Sequence, residues 1–368
     1  MAGRAAISRP VIARIRGLAP RYLALLAAVF LLLALYSGYW FLAAGWVRQA
    51  IVDWSALQRG NGAEVEFQRL RVTGFPFRLI ATLDEPSYAE PATLERFAWR
   101  ADRLVGYLQP WNFRHVLVAL AGRHHISLRH GELDRRIEID IRQGMASYQA
   151  GGDGGLQRLS VVLDQVAIDD RLVTGELRAE HAELHIRPGS QGRQPRWDAA
   201  FSASRAQAAL LAGLPLGPDL SEIEIETTLA GSLPQAPFPI AVALWRDAGG
   251  TLELRKFRVN WGDLKLEGEG TLALDAEMRP LGALTARIHK HERLIELAQS
   301  GGQLTPNAAT GARLVLGLLA AGNGGVLTVP VRLQDGLLRV GPAVLARLNP
   351  LLPDAGRNPA PGSPAPRQ

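Results

Sequence analysis

The histidines are the first residues to test for chemistry, because a metal site needs three or four convergent ligands. His124 and His125 are adjacent, so on a strand they face opposite ways, and His130 stands nearby. His181 and His185 share a strand face but lie about 13 Å apart by rise, too far to hold one ion. A helix would bring them together, yet Leu184 and Ile186 alternating with His185 form a strand pattern, and no H-E-x-x-H occurs. Asp169-Asp170 reads as a turn pair, and a paired-carboxylate hydrolase would need a second acid across a cleft. Gly151-Gly152-Asp153-Gly154-Gly155 lacks the Lys and Ser/Thr of a phosphate loop and reads as a hairpin connection. No G-x-S-x-G element is present. The expectation is a non-enzyme with structural histidines, no metal and no cofactor.

The most distinctive patch is Gly74-Phe75-Pro76-Phe77-Arg78. Phe75 and Phe77 are apolar and Arg78 can meet a lipid phosphate. The same residues also suit a bulge or strand entry, where Gly supplies unusual dihedrals and Pro restricts pairing. Phe75, Phe77 and Arg78, with Trp54 and Trp111, are the candidate lipid or membrane contacts.

These residues follow a segment that fixes where they work. Tyr22–Val47 carries no charge, more than the roughly 20 apolar residues that cross a bilayer as a helix. Tyr36, Tyr39, Trp40 and Trp46 crowd its far end, as an aromatic belt would. A secretory signal has a shorter apolar core of about 7–15 residues, so an uncleaved anchor is expected. Arg4, Arg9, Arg14, Arg16 and Arg21 precede the segment, against Arg48 just after it, which places the amino terminus in the cytoplasm. The reading is a single-pass inner-membrane protein: a basic arm (1–21), an anchor (22–47), a periplasmic β-rich domain (48–350, divisible near 60–200 and 220–350) and a disordered Pro-rich tail (351–368).

The net charge of +6 looks like a nucleic-acid signal until its distribution is considered. Without those five arginines the rest carries about +1, with both signs mixed, so no phosphate-binding patch is expected. Cysteine is absent, which excludes disulfides and thiol chemistry, and 47% hydrophobic content suffices for a folded core.

Beyond the anchor, Val47–Gln58 continues as a short amphipathic helix ended by Gly60-Asn61-Gly62. A period of two then dominates: Phe75, Phe77, Leu79, Ala81 and Leu83; Ile137, Ile139 and Ile141; Ile223 and Ile225; Leu327, Val329, Val331 and Leu333, with Pro330 favouring an edge. Gly151–Gly155, Trp261-Gly262-Asp263 and Gln334-Asp335-Gly336 separate such runs. The fold class is mainly antiparallel β, about a dozen strands, with a few helices. Helical spacing is read at Asp102–Leu120, broken by Pro110, at Ala203–Leu211, and at Glu292–Gln299 with Ala308–Ala321 as a helical hairpin.

Several stretches in order carry a resemblance: the anchor with its Trp-containing juxtamembrane helix, Gly74–Arg78, Leu108-Gln109-Pro110-Trp111-Asn112-Phe113, Val259-Asn260-Trp261-Gly262, and Gln334-Asp335-Gly336 followed by Val340-Gly341-Pro342. Over about residues 22–350 the chain resembles the bacterial domain of unknown function 2125 family, itself similar in style to the AsmA-like envelope proteins. That resemblance implies an elongated, curved sheet whose apolar face forms a groove for acyl chains, and a role in lipid handling or envelope maintenance. The partners it implies are the membrane, phospholipid and envelope proteins. The alternative is a membrane-tethered, non-enzymatic scaffold that binds protein partners.

Overall fold

A computed structural model describes residues 20–351 apart from 92–94, 131–132, 171–174, 190–194, 235, 237, 303 and 341–342. The basic arm before residue 20, the tail after residue 351 and Gly341-Pro342 lie outside the described residues.

The anchor and the juxtamembrane segment form one unbroken helix, α1 (Pro20–Gly60, 41 residues). Its first part, Tyr22–Leu35, is exposed on all sides, as expected of a surface made for lipid. From Trp40 onward one stripe is covered. Trp40, Ala43, Val47 and Ser55 are buried and Ile51 is half-buried, a spacing of three to four residues that keeps them on one helical face.

That stripe packs on an open sheet that, among the described residues, has nineteen strand segments, all antiparallel and nearly all paired with a sequence neighbour. Four long strands are each split in two: β1 (Glu64–Glu66) with β2 (Arg69–Thr73), β3 (Leu79–Asp84) with β4 (Ser87–Ala89), β5 (Glu95–Ala101) with β6 (Arg103–Gln109), and β7 (Asn112–Ala119) with β8 (Gly122–His130). The 18-residue β9 (Leu133–Ala150) pairs with both halves of the last of these, β8 along its first part and β7 along its second. A meander follows through β10 (Leu156–Asp170), β11 (Gly175–Pro188), β12 (Arg196–Ala208), β13 (Asp219–Ala230), β14 (Thr251–Trp261), β15 (Leu264–Leu274), β16 (Pro280–His289), β17 (Leu327–Gln334), β18 (Leu337–Val340) and β19 (Ala343–Arg347). Pairing is continuous across β12 and β13, through the 200–220 region.

The splits continue across the sheet as aligned breaks in the ladder. Arg142, Gln165, Glu180, Arg205 and Ser221 lie opposite one another outside the regular pairing, and Gln165 and Arg205 have φ of 52° and 47°. Each unpaired residue shifts its own strand's alternation by one while the register between strands is unchanged. On β10, Leu159, Val161 and Leu163 face one side, and beyond Gln165 it is Val166 and Ile168 that keep that side apolar. The side chains at these breaks point outward and meet, as where the Arg142 guanidinium donates to Gln165 Oε1 at 2.6 Å and Arg205 pairs with Glu180.

The result is one uncharged face. Ala81, Gly106, Val118, Ala146, Val161, Leu184, Phe201, Ile225, Phe257, Gly268, Ala286 and Val329 stand directly opposite one another across twelve strands, roughly 50 Å at about 4.8 Å per strand. Helices cover its two ends. At the near end α1 buries Leu79 and Ala81. At the far end α3 (Glu292–Ser300) and α4 (Pro306–Ala321), the expected helical hairpin, pack Leu294, Leu297, Leu316 and Ala320 on Leu264, Ile288, Leu327 and Val329. Between the covers, from Val118 to Phe257, the row is only half-buried.

The opposite face is polar. In its far half Glu224, Arg258, Glu267 and Arg287 form a ladder of ion pairs at 3.3, 3.2 and 3.7 Å.

Two expected helices are strands. Asp102–Leu120 folds as β6 and β7 around Pro110-Trp111; side chains four apart satisfy a period of two as well as a helix, and here cross-strand pairing decides. Ala203–Leu211 is the end of β12 and a 3-10 turn at Ala209–Leu211. Its alanines are strong helix formers, but pairing with β11 and β13 overrides that preference. Phe75 and Phe77 belong to a turn, because β3 begins only at Leu79. A helix absent from the sequence reading, α2 (Phe238–Asp247), joins β13 to β14, with buried Trp245 donating to Ala230 O at 2.8 Å. Pro330 lies within β17, opposite Thr285 of β16, and the position that would face it beyond Val340 lies outside the described residues.

Candidate functional site

Two hairpin turns of the sheet are pinned to a single stretch of α1. The first, Gly74–Arg78, joins β2 to β3 and is closed by Arg78 N donating to Gly74 O at 3.2 Å. Gly74 has φ of 103°, and a Cβ there would lie 2.6 Å from Arg78 O, so the turn needs glycine. The second, Pro110-Trp111, joins β6 to β7.

Aromatic side chains of the helix hold both turns through their backbone carbonyls. Tyr36 Oη donates to Pro76 O and Tyr39 Oη to Pro110 O, both at 2.5 Å, and Trp40 Nε1 donates to Arg78 O at 3.2 Å. The Phe75 ring stacks on Phe41 at 5.9 Å and meets Trp40 edge-on at 5.4 Å. Carbonyls in a turn have no ladder partner, and these phenol and indole groups supply one while leaving the rings in apolar surroundings.

This aromatic collar sits about 20 residues past the start of the apolar span, where the hydrocarbon core should end. Phe77 is 76% exposed, Trp111 65% and Phe75 50%. No acidic residue occurs in 1–52, 67–83 or 103–131, the stretches that hold the span and both turns. Arg78 is exposed and has no ion-pair partner among the described residues. Four of the five candidate contacts, Phe75, Phe77, Arg78 and Trp111, therefore come together around Tyr36–Phe41. Trp54 does not. It lies 14 residues beyond Trp40, about 21 Å along the helix, stacked on Tyr88 at 6.4 Å. Sequence reading named the turns without seeing that the belt tyrosines reach their carbonyls; Tyr and Trp placed where a span ends were the available signal.

The other candidates sit in local hydrogen-bond networks. His181 and His185 share a face of β11, as their spacing requires, and meet through the residue between them: Glu183 bonds His181 Nε2 at 2.8 Å and His185 Nε2 at 3.1 Å. His181 Nδ1 bonds Asp164 at 2.7 Å. Hydrogen bonds to Asp164 and then Glu183 raise the His181 pKa, and those from His181 and His185 lower that of Glu183. Among the described residues no group of three or more His, Asp or Glu is placed to hold a metal. His124 is buried, bonded to Leu120 O at 2.8 Å and accepting from Trp99 Nε1 at 3.3 Å. Asp170 ends β10, buried, and accepts from Arg135 Nε at 3.0 Å. Gly151–Gly155 is a hairpin loop in which Asp153 accepts from Gly155 N at 3.0 Å. A recess of about 960 Å³ holds Arg59, Glu66, Glu85, Arg100, Asp102 and His125, mixing both charge signs.

Residues 40–349 match the family described as uncharacterised proteins conserved in bacteria, DUF2125. The chain belongs to that family. No curated protein and no solved structure matches it. The DUF2125 match begins at Trp40, the first buried residue of α1 among those described, so the matched region holds the sheet and the covering part of the helix while most of the exposed span precedes it.

Proposed function

We propose that this DUF2125 protein is an inner-membrane-anchored envelope protein that holds lipid acyl chains along the uncharged face of its sheet. The observation that carries the reading is the twelve-strand row, which carries no polar side chain, starts beneath the membrane helix and stays half-open between Val118 and Phe257. An apolar face of this length left open to water is a standing cost unless an apolar ligand covers it. Orientation follows from the five arginines before the span, which keep the amino terminus cytoplasmic and the sheet periplasmic. The aromatic collar supports this by seating the sheet at the outer interface of the bilayer. The task is binding and transfer rather than catalysis, in line with the analogy to AsmA-like envelope proteins and with no role in nucleic-acid binding.

The test places a photoreactive amino acid at Phe201, on the open row, or at its neighbour Ser202, on the polar face, in the full chain reconstituted in phospholipid vesicles. Lipid adducts at 201 and not at 202 are expected. Equal yields at both, or none at 201, would overturn the reading. A second reading, a scaffold for envelope proteins, rests on Leu314, Val315, Leu318 and Leu319, which form an exposed apolar stripe on α4. Protein adducts from that stripe, with no lipid on the sheet, would favour it.

A further inference from the structure

Just beyond the collar, α1 and the β6–β7 hairpin diverge to leave a cleft of about 470 Å³. Trp46, Ile51 and Trp54 of the helix form one wall, and Leu108, Phe113 and Val116 of the sheet form the other. No charged residue lines it. Its large side chains are unusually bare for such a place, with Trp46 57%, Trp54 49% and Phe113 40% exposed.

The cleft is continuous with two surfaces. At its membrane side Trp46 follows directly on Phe41 and Leu42, which are 65% and 61% exposed on the span, so the opening begins about 8 Å past Phe41 along the helix. At its inner side Leu108 and Val116 stand opposite each other, and their row passes across Tyr148 and Leu159 into the open part of the uncharged face. An unbroken apolar path therefore joins the bilayer surface to the sheet without crossing a charge.

We propose that this cleft is the entry site at which one acyl chain of a bilayer glycerolipid leaves the outer leaflet for the sheet. The occupant is a lipid chain because the opening adjoins the bilayer itself, and a hydrocarbon chain needs apolar walls and no hydrogen-bonding groups. The walls carry no charge and their only side-chain donors are the indole N–H groups of Trp46 and Trp54, so entry should depend on the chain and be indifferent between zwitterionic and anionic headgroups. This proposal rests on the reading that the sheet holds lipid, and the experiment separates the two.

The full chain is reconstituted in phosphatidylethanolamine–phosphatidylglycerol vesicles containing a phospholipid with a diazirine at one chain terminus. After irradiation, adducts are mapped by mass spectrometry. In the native chain adducts are expected on α1 46–54 and β6–β7, and on the open row around Phe201. Ala50→Trp fills the cleft from an exposed position, and Phe113→Asp puts a charge in its wall. Each should lower adducts on the open row by about tenfold, with an unchanged far-UV spectrum and melting midpoint, and with the two headgroups giving equal yields. Undiminished adducts around Phe201 in both variants would overturn entry through the cleft and leave the lipid-holding face intact. Adducts in the cleft but none on the row would leave a chain-binding cleft and overturn both entry to the sheet and the lipid-holding reading. Adducts confined to Tyr22–Phe41 would overturn both.

Discussion

The two ends of the uncharged face are closed by helices that are held in different ways. At the near end α1 is tied to the sheet by directional bonds: three aromatic donors reach three turn carbonyls, and Arg59 Nε donates to Val65 O at 2.9 Å. At the far end α4 rests on the sheet through Leu316 and Ala320, and Arg313 ties it to α3 rather than to a strand, donating to Gln299 at 2.7 Å. A hydrogen bond fixes register, whereas burial of apolar surface is non-directional. The near cover is therefore set in one position by its chemistry, and the far cover, tied to the sheet by an exposed ion pair, Arg293 to Asp263 at 3.1 Å, depends mainly on how well its leucines fill the space beneath it.

That contrast breaks most readily at the far end. Leu264 is fully buried under the α3–α4 cover, and Leu264→Ala should cost about 2–5 kcal/mol, read as a lowered denaturant midpoint of the full chain in detergent. A loss under about 0.5 kcal/mol, within surface-substitution scatter, would mean that the far cover is not a packed core. At the near end Gly74→Ala forces a side chain against Arg78 O in a left-handed turn. It should cost about 1–3 kcal/mol and open the turn to protease, with the far half unaffected. An unchanged cleavage pattern would contradict the tight turn.

Single donors at the near cover give the next effect. Tyr36→Phe and Tyr39→Phe each delete one hydrogen bond while keeping the ring, at about 0.5–1.5 kcal/mol apiece. If both are silent while Leu264→Ala is severe, burial holds both covers and the contrast dissolves.

The smallest effect belongs to the polar face, which touches neither cover. The His181 pKa is raised above its ordinary 6.5, so its contribution is complete below that pH and is lost as pH rises through the folded value. The Glu183 pKa is depressed below 4.5, so its contribution is present above that pH and is lost as pH falls through the folded value. Both are present together between about those two values. Because the groups are over a third exposed, solvent screening leaves only a slight rise in midpoint there. His181→Gln should flatten that rise, and a variant with the native pH profile would remove the pair from the account.

Much of this was legible in the residues. A chargeless run of 26 residues admits one physical solution at a membrane, and strict alternation at Ile137–Ile141 or Ile223–Ile225 admits one kind of sheet. The turns at Gly151–Gly155, Trp261–Asp263 and Gln334–Gly336 stand where glycine and aspartate placed them. The candidate contacts were partly legible: Phe75, Phe77 and Arg78 were named from one motif and Trp111 from another, but nothing local tied them to each other or excluded Trp54.

What the sequence determined by itself is the anchor, the antiparallel class and the polarity of each strand segment, because these follow from transfer free energy and side-chain period within a few residues. What only the tertiary structure decided is everything that depends on which strand lies beside which. At Leu104–Leu108 and Ala203–Ala208 a spacing of four or an alanine-rich stretch fitted helix and strand alike, and the neighbouring strands chose. At Gln165, Glu180 and Arg205 a one-residue break in alternation looks like noise along the chain. Only across the sheet do these breaks align to keep one face free of charge, because the register that sets them opposite one another is a property of pairs.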